Sequence, residues 1–306
     1  MIALSESRIL SNNGRDTLII YEWIPDTEPV AILQLHHGVS EHIMRYNDFA
    51  RYMAKRGVFV VGYDCAGHGK SVTTENLLNF GEKNGWAALV KDVHDVQQRY
   101  AARFPGKPYY ILGHSMGSFV VRNYLADYAG AVSGAIISGT GFKPAAVTSA
   151  GKAMASLICK IKGSKHVSDM VHAMAMGAYN KDFGPQGGCQ WLSRDNAVVE
   201  AYMADPLCGG VPTVGLYRDM FGGLGYVCTK DAVSGMDKDL PILLVSGSED
   251  PVGDRGTGVA QTADLFKENG MNKVSTVLYP GARHEMLNET NKQEVYELIA
   301  KFVLPR

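Results

Sequence analysis

The sequence lacks three features that would place it in other broad classes of protein. No apolar run approaches the roughly 20 residues that a membrane-spanning helix needs. The first ten residues carry Glu6 and Arg8 and have no apolar core, so they do not resemble a signal peptide. The formal net charge of −1 provides no field that would attract nucleic acid. We therefore expect a cytoplasmic, globular protein without a nucleic-acid partner.

Cysteine is also scarce, and metal-ligand patterns are missing. The five cysteines are odd in number and show no Cys-x-x-Cys pair, which favours free thiols in a reducing compartment over a disulfide framework. The adjacent His36 and His37 are not accompanied by acidic residues or cysteines at ligand spacing. We expect these histidines to pack in the core with a loop hydrogen bond, and we expect neither a metal nor a cofactor.

What the sequence does contain is a regular alternation of short apolar runs with helical patterns. This alternation is typical of a mostly parallel sheet with helices on both faces. Two amphipathic runs at residues 8–10 and 17–22, joined by a turn at Asn13-Gly14, predict an antiparallel hairpin at one edge. Six further runs predict the buried parallel strands of an eight-stranded sheet: residues 30–36, 58–63, 109–112, 135–138, 242–246 and 276–279.

The stretch from residue 141 to residue 239 interrupts this alternation. It has no clean strand pattern and is rich in Ala, Met and Gly. We interpret it as a helical cap, or lid, inserted after the sixth strand of an α/β core that comprises residues 1–140 and 240–306. The run Phe-Gly-Gly-Leu-Gly at residues 221–225 predicts hinge freedom for this lid.

The motif with the most chemical content is Gly-His-Ser-Met-Gly at residues 113–117. It follows an apolar run directly and precedes a helical pattern. A serine at such a strand-to-helix turn is held in a strained conformation with its hydroxyl exposed, and the flanking glycines avoid collisions with neighbouring elements. The helix N-terminus behind it favours a developing anion. Ser115 is therefore the candidate nucleophile of an α/β-hydrolase fold.

A serine nucleophile needs a base that is itself oriented, and in this fold the acid and then the histidine follow the serine along the chain. Of the nine histidines only His284 lies after the seventh strand, which makes it the candidate base. The loop after that strand offers Glu249, Asp250 and Asp254. Asp250, directly before Pro251, is the best candidate for the orienting acid, and Glu249 is the alternative.

Hydrolysis through a serine also requires two backbone N–H groups that stabilise the negative charge on the attacked oxygen. One donor should be the residue after the nucleophile, Met116. The other should come from the loop after the third strand, where Gly38 lets the chain turn sharply and Val39 is the candidate donor.

This ordered set resembles the monoglyceride lipase and lysophospholipase group of α/β-hydrolases, the serine aminopeptidase S33-type hydrolases. The resemblance covers essentially the whole chain. The strand-to-helix turn at residues 113–117, which we call the elbow, carries part of the resemblance, as do the residues after the seventh and eighth strands. The rest is carried by residues 37–42, 45–46, 64, 67–71, 192–194 and 205–207.

The resemblance implies hydrolysis of single-acyl esters such as monoacylglycerols or lysophospholipids, with the acyl chain in an apolar tunnel under the cap. It also implies, by position, that Val39 and Met116 supply the oxyanion N–H groups. Glu41 and Arg45 match positions near the head-group end of the pocket. The mammalian monoglyceride lipases have a second histidine where this sequence has Leu287, which leaves the choice of alcohol open.

Other functions could use the same triad. A short-chain carboxylesterase, a peptidase and an acyltransferase are alternatives, as is a silent fold that only binds a ligand, although a binding protein has no physical need for the complete triad. Dehalogenase and epoxide-hydrolase chemistry requires a carboxylate as the nucleophile at this turn, and the residue there is Ser115.

The cap sequence offers two interpretations of its own. Residues 145–171 combine four lysines with apolar residues at helical spacing, which predicts a helix that covers the site with solvated lysines or, alternatively, one that contacts anionic lipid transiently. Met170, Met174 and Met176 are candidates for lining the acyl pocket.

Overall fold

The computed structural model describes residues 2–185 and 188–304. In this part of the chain eight strands form one sheet with the spatial order β1-β2-β4-β3-β5-β6-β7-β8. The pairs β1–β2 and β2–β4 are antiparallel and the others are parallel, so the predicted mostly parallel sheet is confirmed. The strands are β1 (Ala3–Leu10), β2 (Thr17–Ile24), β3 (Ala31–His36), β4 (Val58–Asp64), β5 (Tyr109–His114), β6 (Gly134–Ser138), β7 (Ile242–Gly247) and β8 (Val274–Tyr279).

Helices cover both faces of the sheet, and successive residues of a central strand face opposite layers. In β4, Phe59 and Val61 belong to one hydrophobic layer, whereas Val58 and Val60 belong to the other. The α-helices in chain order are α1 (Asn47–Ala54), α2 (Gly85–Arg103), α3 (Met116–Asp127), α4 (Ala145–Lys162), α5 (Asp169–Met176), α6 (Asn196–Ala204), α7 (Val214–Val227), α8 (Lys230–Ser234), α9 (Thr257–Glu268) and α10 (Lys292–Val303).

The predicted antiparallel hairpin is confirmed, since β1 and β2 pair at one edge of the sheet. Two strands nevertheless differ from the prediction. β2 is buried along almost its whole length rather than amphipathic, because it lies between β1 and β4. β8, predicted to be a buried strand, is instead an edge strand with exposed residues along it. An edge strand has a neighbour on one side only, so an apolar run such as this one keeps part of its surface in water.

The segment between β6 and β7 contains the helices α4 to α8. Among its described residues the only strand-like pairing is an isolated bridge between Val167 and Thr213. The buried side chain of Arg122, in α3, contacts this segment at two distant points. Its guanidinium donates hydrogen bonds to the carbonyl oxygens of Gly141 (2.9 Å) and Val227 (2.8 Å). We keep the name cap for residues 141–239.

The glycines at 222, 223 and 225 lie inside the continuous helix α7, and two of them, Gly223 and Gly225, allow close packing with neighbouring side chains. A Cβ atom on Gly223 would lie 1.9 Å from Cε2 of Trp86, and one on Gly225 would lie 2.7 Å from Oγ1 of Thr148. Trp86 is itself fixed, because its indole Nε1 donates to Oδ1 of Asn123 at 2.9 Å. The hinge prediction therefore has no support in the geometry of α7.

All five cysteines are free thiols, as predicted. No helix in the described ranges combines the length and the apolar character needed to cross a bilayer.

The two adjacent glycines of α7 provide a matched test of this packing. We expect Gly223→Ala to lower the free energy of unfolding by roughly 1–3 kcal/mol, because the added methyl group overpacks the contact with Trp86. Gly222→Ala should be neutral or stabilising by up to about 1 kcal/mol, since its Cβ would meet only the flexible end of Lys152. Urea unfolding curves measure both changes, and equal effects of the two substitutions would contradict the packing role.

Candidate active site

Ser115 occupies the sharp turn between β5 and α3. Its backbone has φ 54° and ψ −121°, a left-handed conformation that costs energy for any residue with a side chain. The Ser115 N–H donates to the carbonyl oxygen of Ser138 in β6 at 2.9 Å, which anchors the turn to the neighbouring strand. The strained serine conformation that the sequence predicts is thus present.

The glycines at both ends of the motif are required by close backbone contacts. A Cβ on Gly113 would lie 2.3 Å from the carbonyl oxygen of Gly117. A Cβ on Gly117 would lie 2.3 Å from the carbonyl oxygen of His36 and 2.6 Å from that of His37. Each distance is shorter than real Cβ contacts allow, so the elbow can pack against β3 and the loop after it only with glycine at these positions.

His284 and Asp250 meet in the loops that follow β8 and β7. Nδ1 of His284 lies 2.9 Å from Oδ2 of Asp250, and both side chains are almost completely buried. The other carboxylate oxygen of Asp250 accepts the backbone N–H of Val252 at 2.9 Å. Because a neutral imidazole that donates from Nδ1 leaves Nε2 as an acceptor, this bond selects the tautomer that a base requires. His284 lines the same small cavity as Ser115.

The environment of His284 favours its protonated form. Burial lowers the pKa of His284, but the charge of Asp250 and the hydrogen bond to it outweigh burial and raise the pKa above its usual value. The ring of His114 packs against His284 with 4.6 Å between the ring centroids. Burial, followed by the proximity of His284, lowers the pKa of His114 to about 3, so this neighbour stays neutral.

The alternative acid, Glu249, is placed differently. Its side chain is 44% exposed and lies 3.8 Å from Nε of Arg255. The neighbouring Asp250 is the carboxylate that the structure brings to His284. Asp254 lies in a turn with a positive φ of 50°.

The loop after β3 carries Val39 and is fixed by a chain of hydrogen bonds through His37. Nε2 of His37 accepts the backbone N–H of Cys65 at 3.0 Å, so the ring proton is on Nδ1 and is donated to the carbonyl oxygen of Gly38 at 2.7 Å. That carbonyl belongs to the same peptide plane as the N–H of Val39. His37 therefore orients the very peptide group that is expected to donate to an oxyanion, beyond the simple loop hydrogen bond expected from sequence.

The second expected donor, Met116, is the first residue of α3. The first N–H groups of a helix have no acceptor within the helix, so they can bind an anion at its N-terminus. Val39, Ser115 and Met116 together line one apolar cavity.

Glu41 and Arg45 belong to a buried ionic network beside the smaller cavity. Glu41 accepts the N–H of Gly38 at 2.6 Å and the hydroxyl of Tyr46 at 2.8 Å, and its other oxygen accepts Nη1 of Arg45 at 2.7 Å. Arg45 also forms a two-pronged ion pair with Glu285. Burial opposes ionisation of Glu41, but the charge of Arg45 holds its pKa at about 2.

Glu285 is a site residue that sequence reasoning missed. It lines the smaller cavity together with Glu41, Ser115 and His284. Its position directly after the candidate base was the one available signal, but its partner Arg45 is 240 residues away along the chain. The guanidinium of Arg45 is already paired with two carboxylates, so its contact with a substrate stays a prediction.

The larger cavity runs from Ser115 to the underside of the cap. Two of the three methionines expected there, Met174 and Met176, line it, whereas Met170 is outside the lining and 56% exposed. Other lining side chains from the core and the cap are Phe119, Val147, Met220, Phe221, Leu224 and Val252. The space beside Ser115 is thus mostly apolar, as an acyl chain would require.

Comparisons with known proteins identify the family of the chain. The family model described as "Serine aminopeptidase, S33" matches residues 27–291. Monoacylglycerol lipase of Mycolicibacterium smegmatis is 30% identical over 299 residues, which cover 94% of this chain and 92% of that protein. Human monoglyceride lipase is 26% identical over 92% of this chain and 84% of its own length.

A solved structure also superposes closely on nearly the whole chain. It is a thermostable carboxyl esterase from Bacillus coagulans in complex with glycerol, 26% identical with a TM-score of 0.91, and the match covers 99% of this chain and 98% of that one. The family model and the M. smegmatis relative each span most of the sequence. This chain therefore belongs to the serine aminopeptidase S33 family of α/β-hydrolases, among its monoglyceride lipase-like members.

Proposed function

We propose that this enzyme, a carboxylic-ester hydrolase, cleaves single-acyl lipid esters through a covalent acyl-enzyme on Ser115, and that monoacylglycerols are its preferred substrates. The observation that carries the proposal is the buried hydrogen bond between His284 and Asp250, in a cavity that also contains the strained Ser115. Relatives named monoacylglycerol lipase and a structural neighbour named carboxyl esterase support an ester as the bond that is cleaved.

In the first half-reaction, Oγ of Ser115 attacks the ester carbonyl while Nε2 of His284 accepts the hydroxyl proton. Asp250 holds the imidazole in the required tautomer and stabilises the imidazolium that forms. The N–H groups of Val39 and Met116 donate to the oxyanion, and each such donor is worth about 2.7–4 kcal/mol of barrier in other serine hydrolases. The tetrahedral intermediate collapses when the leaving alcohol takes the proton from His284.

In the second half-reaction, water replaces the alcohol. Nε2 of His284 accepts a proton from the water as it attacks the acyl-enzyme carbonyl, and it returns that proton to Oγ of Ser115 when the fatty acid leaves. The same two N–H groups serve both tetrahedral intermediates, so the loop that holds Val39 must keep its position through both steps.

The two cavities at Ser115 divide the substrate between them. We assign the acyl chain to the larger, apolar cavity that lies between the core and the cap, residues 141–239. The alcohol is assigned to the smaller cavity, where Glu41, Glu285 and Tyr202 lie beside the catalytic pair. In this arrangement the cap supplies much of the acyl-binding wall.

The charge of the smaller cavity favours glycerol over a phosphate-bearing head group. Two carboxylates, Glu41 and Glu285, stand against the single guanidinium of Arg45. A hydroxyl-rich neutral alcohol can donate hydrogen bonds to these carboxylates, whereas an anionic phosphate meets an excess of negative charge. At a separation of roughly 8 Å and an effective dielectric constant of about 20, one such repulsion costs about 2 kcal/mol.

The identity of the acid can be tested with two adjacent substitutions. Asp250→Asn should lower kcat for a monoacylglycerol by roughly 10³- to 10⁴-fold, because the amide favours the wrong imidazole tautomer. Glu249→Gln should change kcat by no more than about twofold, since Glu249 is an exposed partner of Arg255. Steady-state assays of glycerol release decide between them, and the reverse pattern would move the acid to Glu249.

The head group can be tested with substrates that share one acyl chain. We expect kcat/KM to be about thirtyfold higher for 1-oleoylglycerol than for oleoyl lysophosphatidic acid, both presented as monomers, from the repulsion of about 2 kcal/mol. Glu285→Gln should lower the ratio of the two kcat/KM values. It removes one carboxylate and leaves the guanidinium of Arg45 with one ionic partner fewer. Equal kcat/KM values for the two lipids would contradict the assignment of the alcohol to the acidic cavity.

The cap also presents a surface suited to transient contact with lipid. The helices α4 and α5 expose Leu157, Ile161, Met170 and Met174, each more than half accessible. The four lysines of this segment, at 152, 160, 162 and 165, are exposed as well. Val147 and Met174 are exposed and also line the acyl cavity, so the apolar surface adjoins its wall. We propose that this surface contacts anionic membranes or micelles.

Vesicle sedimentation tests the contact. Binding should be stronger to vesicles with phosphatidylserine than to pure phosphatidylcholine, because each lysine near an anionic surface contributes on the order of 1 kcal/mol. Ile161→Glu should weaken binding to both, whereas Leu10→Glu, at an equally exposed leucine of β1, should not. Equal binding to both vesicle types, or equal loss with both substitutions, would exclude the cap as the contact surface.

A further inference from the structure

We propose that His42, Asp205 and Cys208 form a zinc-binding site between the loop after β3 and the cap. One donor atom from each residue lies within 4.8 Å of the other two. Across residues 2–185 and 188–304 this is the one set of three His, Cys or acidic side chains spaced for a metal ion. Sequence spacing could not reveal the site, because His42 and Asp205 are 163 residues apart.

The two segments that carry the donors are held together by other contacts. The N–H of Gly209 donates to the carbonyl oxygen of Ser40 at 2.9 Å, and Oγ of Ser40 donates to the carbonyl oxygen of Gly210 at 2.8 Å. The hydroxyl of Tyr202 donates to the same Ser40 carbonyl at 3.0 Å. The donor set is therefore pre-organised by the fold, and a metal ion would not have to assemble it.

Local turns aim the donors toward one another. The N–H of Leu207 donates to Oδ1 of Asp205 at 2.8 Å, which leaves Oδ2 facing Nε2 of His42 at 3.0 Å. The N–H of Cys208 donates to the carbonyl oxygen of Asp205 at 3.0 Å, which turns the chain so that the thiol lies beside the carboxylate. The side chains of His42 and Asp205 are 13% and 33% exposed, so an ion can reach them from solvent.

One imidazole nitrogen, one carboxylate oxygen and one thiolate sulfur are donors that zinc combines in proteins. With zinc–ligand bonds of about 2.0–2.3 Å, tetrahedral donors stand roughly 3.3–3.8 Å apart. Nε2 of His42 and Oδ2 of Asp205 are 3.0 Å apart, and no donor pair in the set is more than 4.8 Å apart, so zinc binding requires displacements of at most about 1–2 Å. Water supplies the fourth ligand, and the Cys208 proton leaves to solvent as the thiolate binds. Magnesium and calcium prefer all-oxygen sites, which this set does not provide.

The surrounding charges accommodate a cation. Arg45 is a nearby positive group, and its guanidinium is paired with Glu41 and Glu285. His42 directly follows Glu41, whose carboxylate holds the N–H of Gly38 next to Val39. Zinc would therefore fasten the cap segment at 205–208 to the loop that carries Val39.

Zinc titration of the metal-free protein tests the site directly. We expect one zinc ion per chain by isothermal calorimetry, with a melting temperature that rises with zinc concentration. Cobalt, used as a spectroscopic probe, should give a sulfur-to-metal charge-transfer band. Cys208→Ser should abolish the band and the zinc-dependent rise, and His42→Gln should abolish the rise. Cys159→Ser is the matched control, because Cys159 lies in α4 outside the set, and it should leave both signals unchanged.

The outcomes separate a site from adventitious binding. Zinc binding that survives in the Cys208→Ser and Asp205→Asn variants, or that is lost equally in Cys159→Ser, would overturn the proposal. The absence of a saturable zinc signal in the unmodified protein would overturn it as well. If one variant fails to fold, the other of the pair Cys208→Ser and Asp205→Asn carries the test, with circular dichroism as the check on folding.

Discussion

The hydrogen bond between His284 and Asp250 is the interaction on which the candidate site depends most. Both side chains are buried, and a carboxylate so far from water requires compensating donors. Nδ1 of His284 and the N–H of Val252 supply them. The hydrogen bond that offsets the desolvation of Asp250 also selects the tautomer of His284 and raises the pKa of His284. One contact therefore both stabilises the buried carboxylate and leaves Nε2 of His284 able to accept a proton.

A second set of contacts holds the other half of the site. His37 fixes the peptide plane of Val39, and Glu41 fixes the N–H of the preceding residue. Glu41 in turn shares Arg45 with Glu285, the residue that follows the base. The loop that carries Val39, the proposed oxyanion donor, and the loop that carries His284 are thus connected through the guanidinium of Arg45. These buried charges therefore lie close to the mostly apolar cavity that we assign to the acyl chain.

Sequence reasoning predicted those parts of the molecule that depend on local pattern and chain order. Short apolar runs separated by helical patterns sufficed for the parallel sheet, and strand-to-helix context sufficed to single out Ser115. His284 followed because the chain offers one histidine after β7. The choice between Asp250 and Glu249 was harder, because adjacent residues of a turn differ only in where the backbone aims them. The structure brings Asp250 to His284, while the catalytic role of each residue stays a prediction.

What the sequence could not predict depends on contacts between distant segments. Glu285 pairs with a residue 240 positions away. The glycines of α7 predict a hinge from their sequence alone, but in the structure Gly223 packs against Trp86. β8 has the composition of a buried strand, but the order of strands in the sheet places it at an edge. In each case local composition was compatible with two environments, and tertiary packing selected one of them.

The measurement that tests the central claim most directly is the capture of an acylated Ser115. Rapid mixing with a p-nitrophenyl decanoate, acid quenching and peptide mass spectrometry should find the decanoyl group on the peptide that contains Ser115. A burst of p-nitrophenol equal to the enzyme concentration should accompany it, and Ser115→Ala should show neither signal. Steady turnover without acylation of Ser115, or undiminished turnover by Ser115→Ala, would contradict a mechanism in which this serine is the nucleophile.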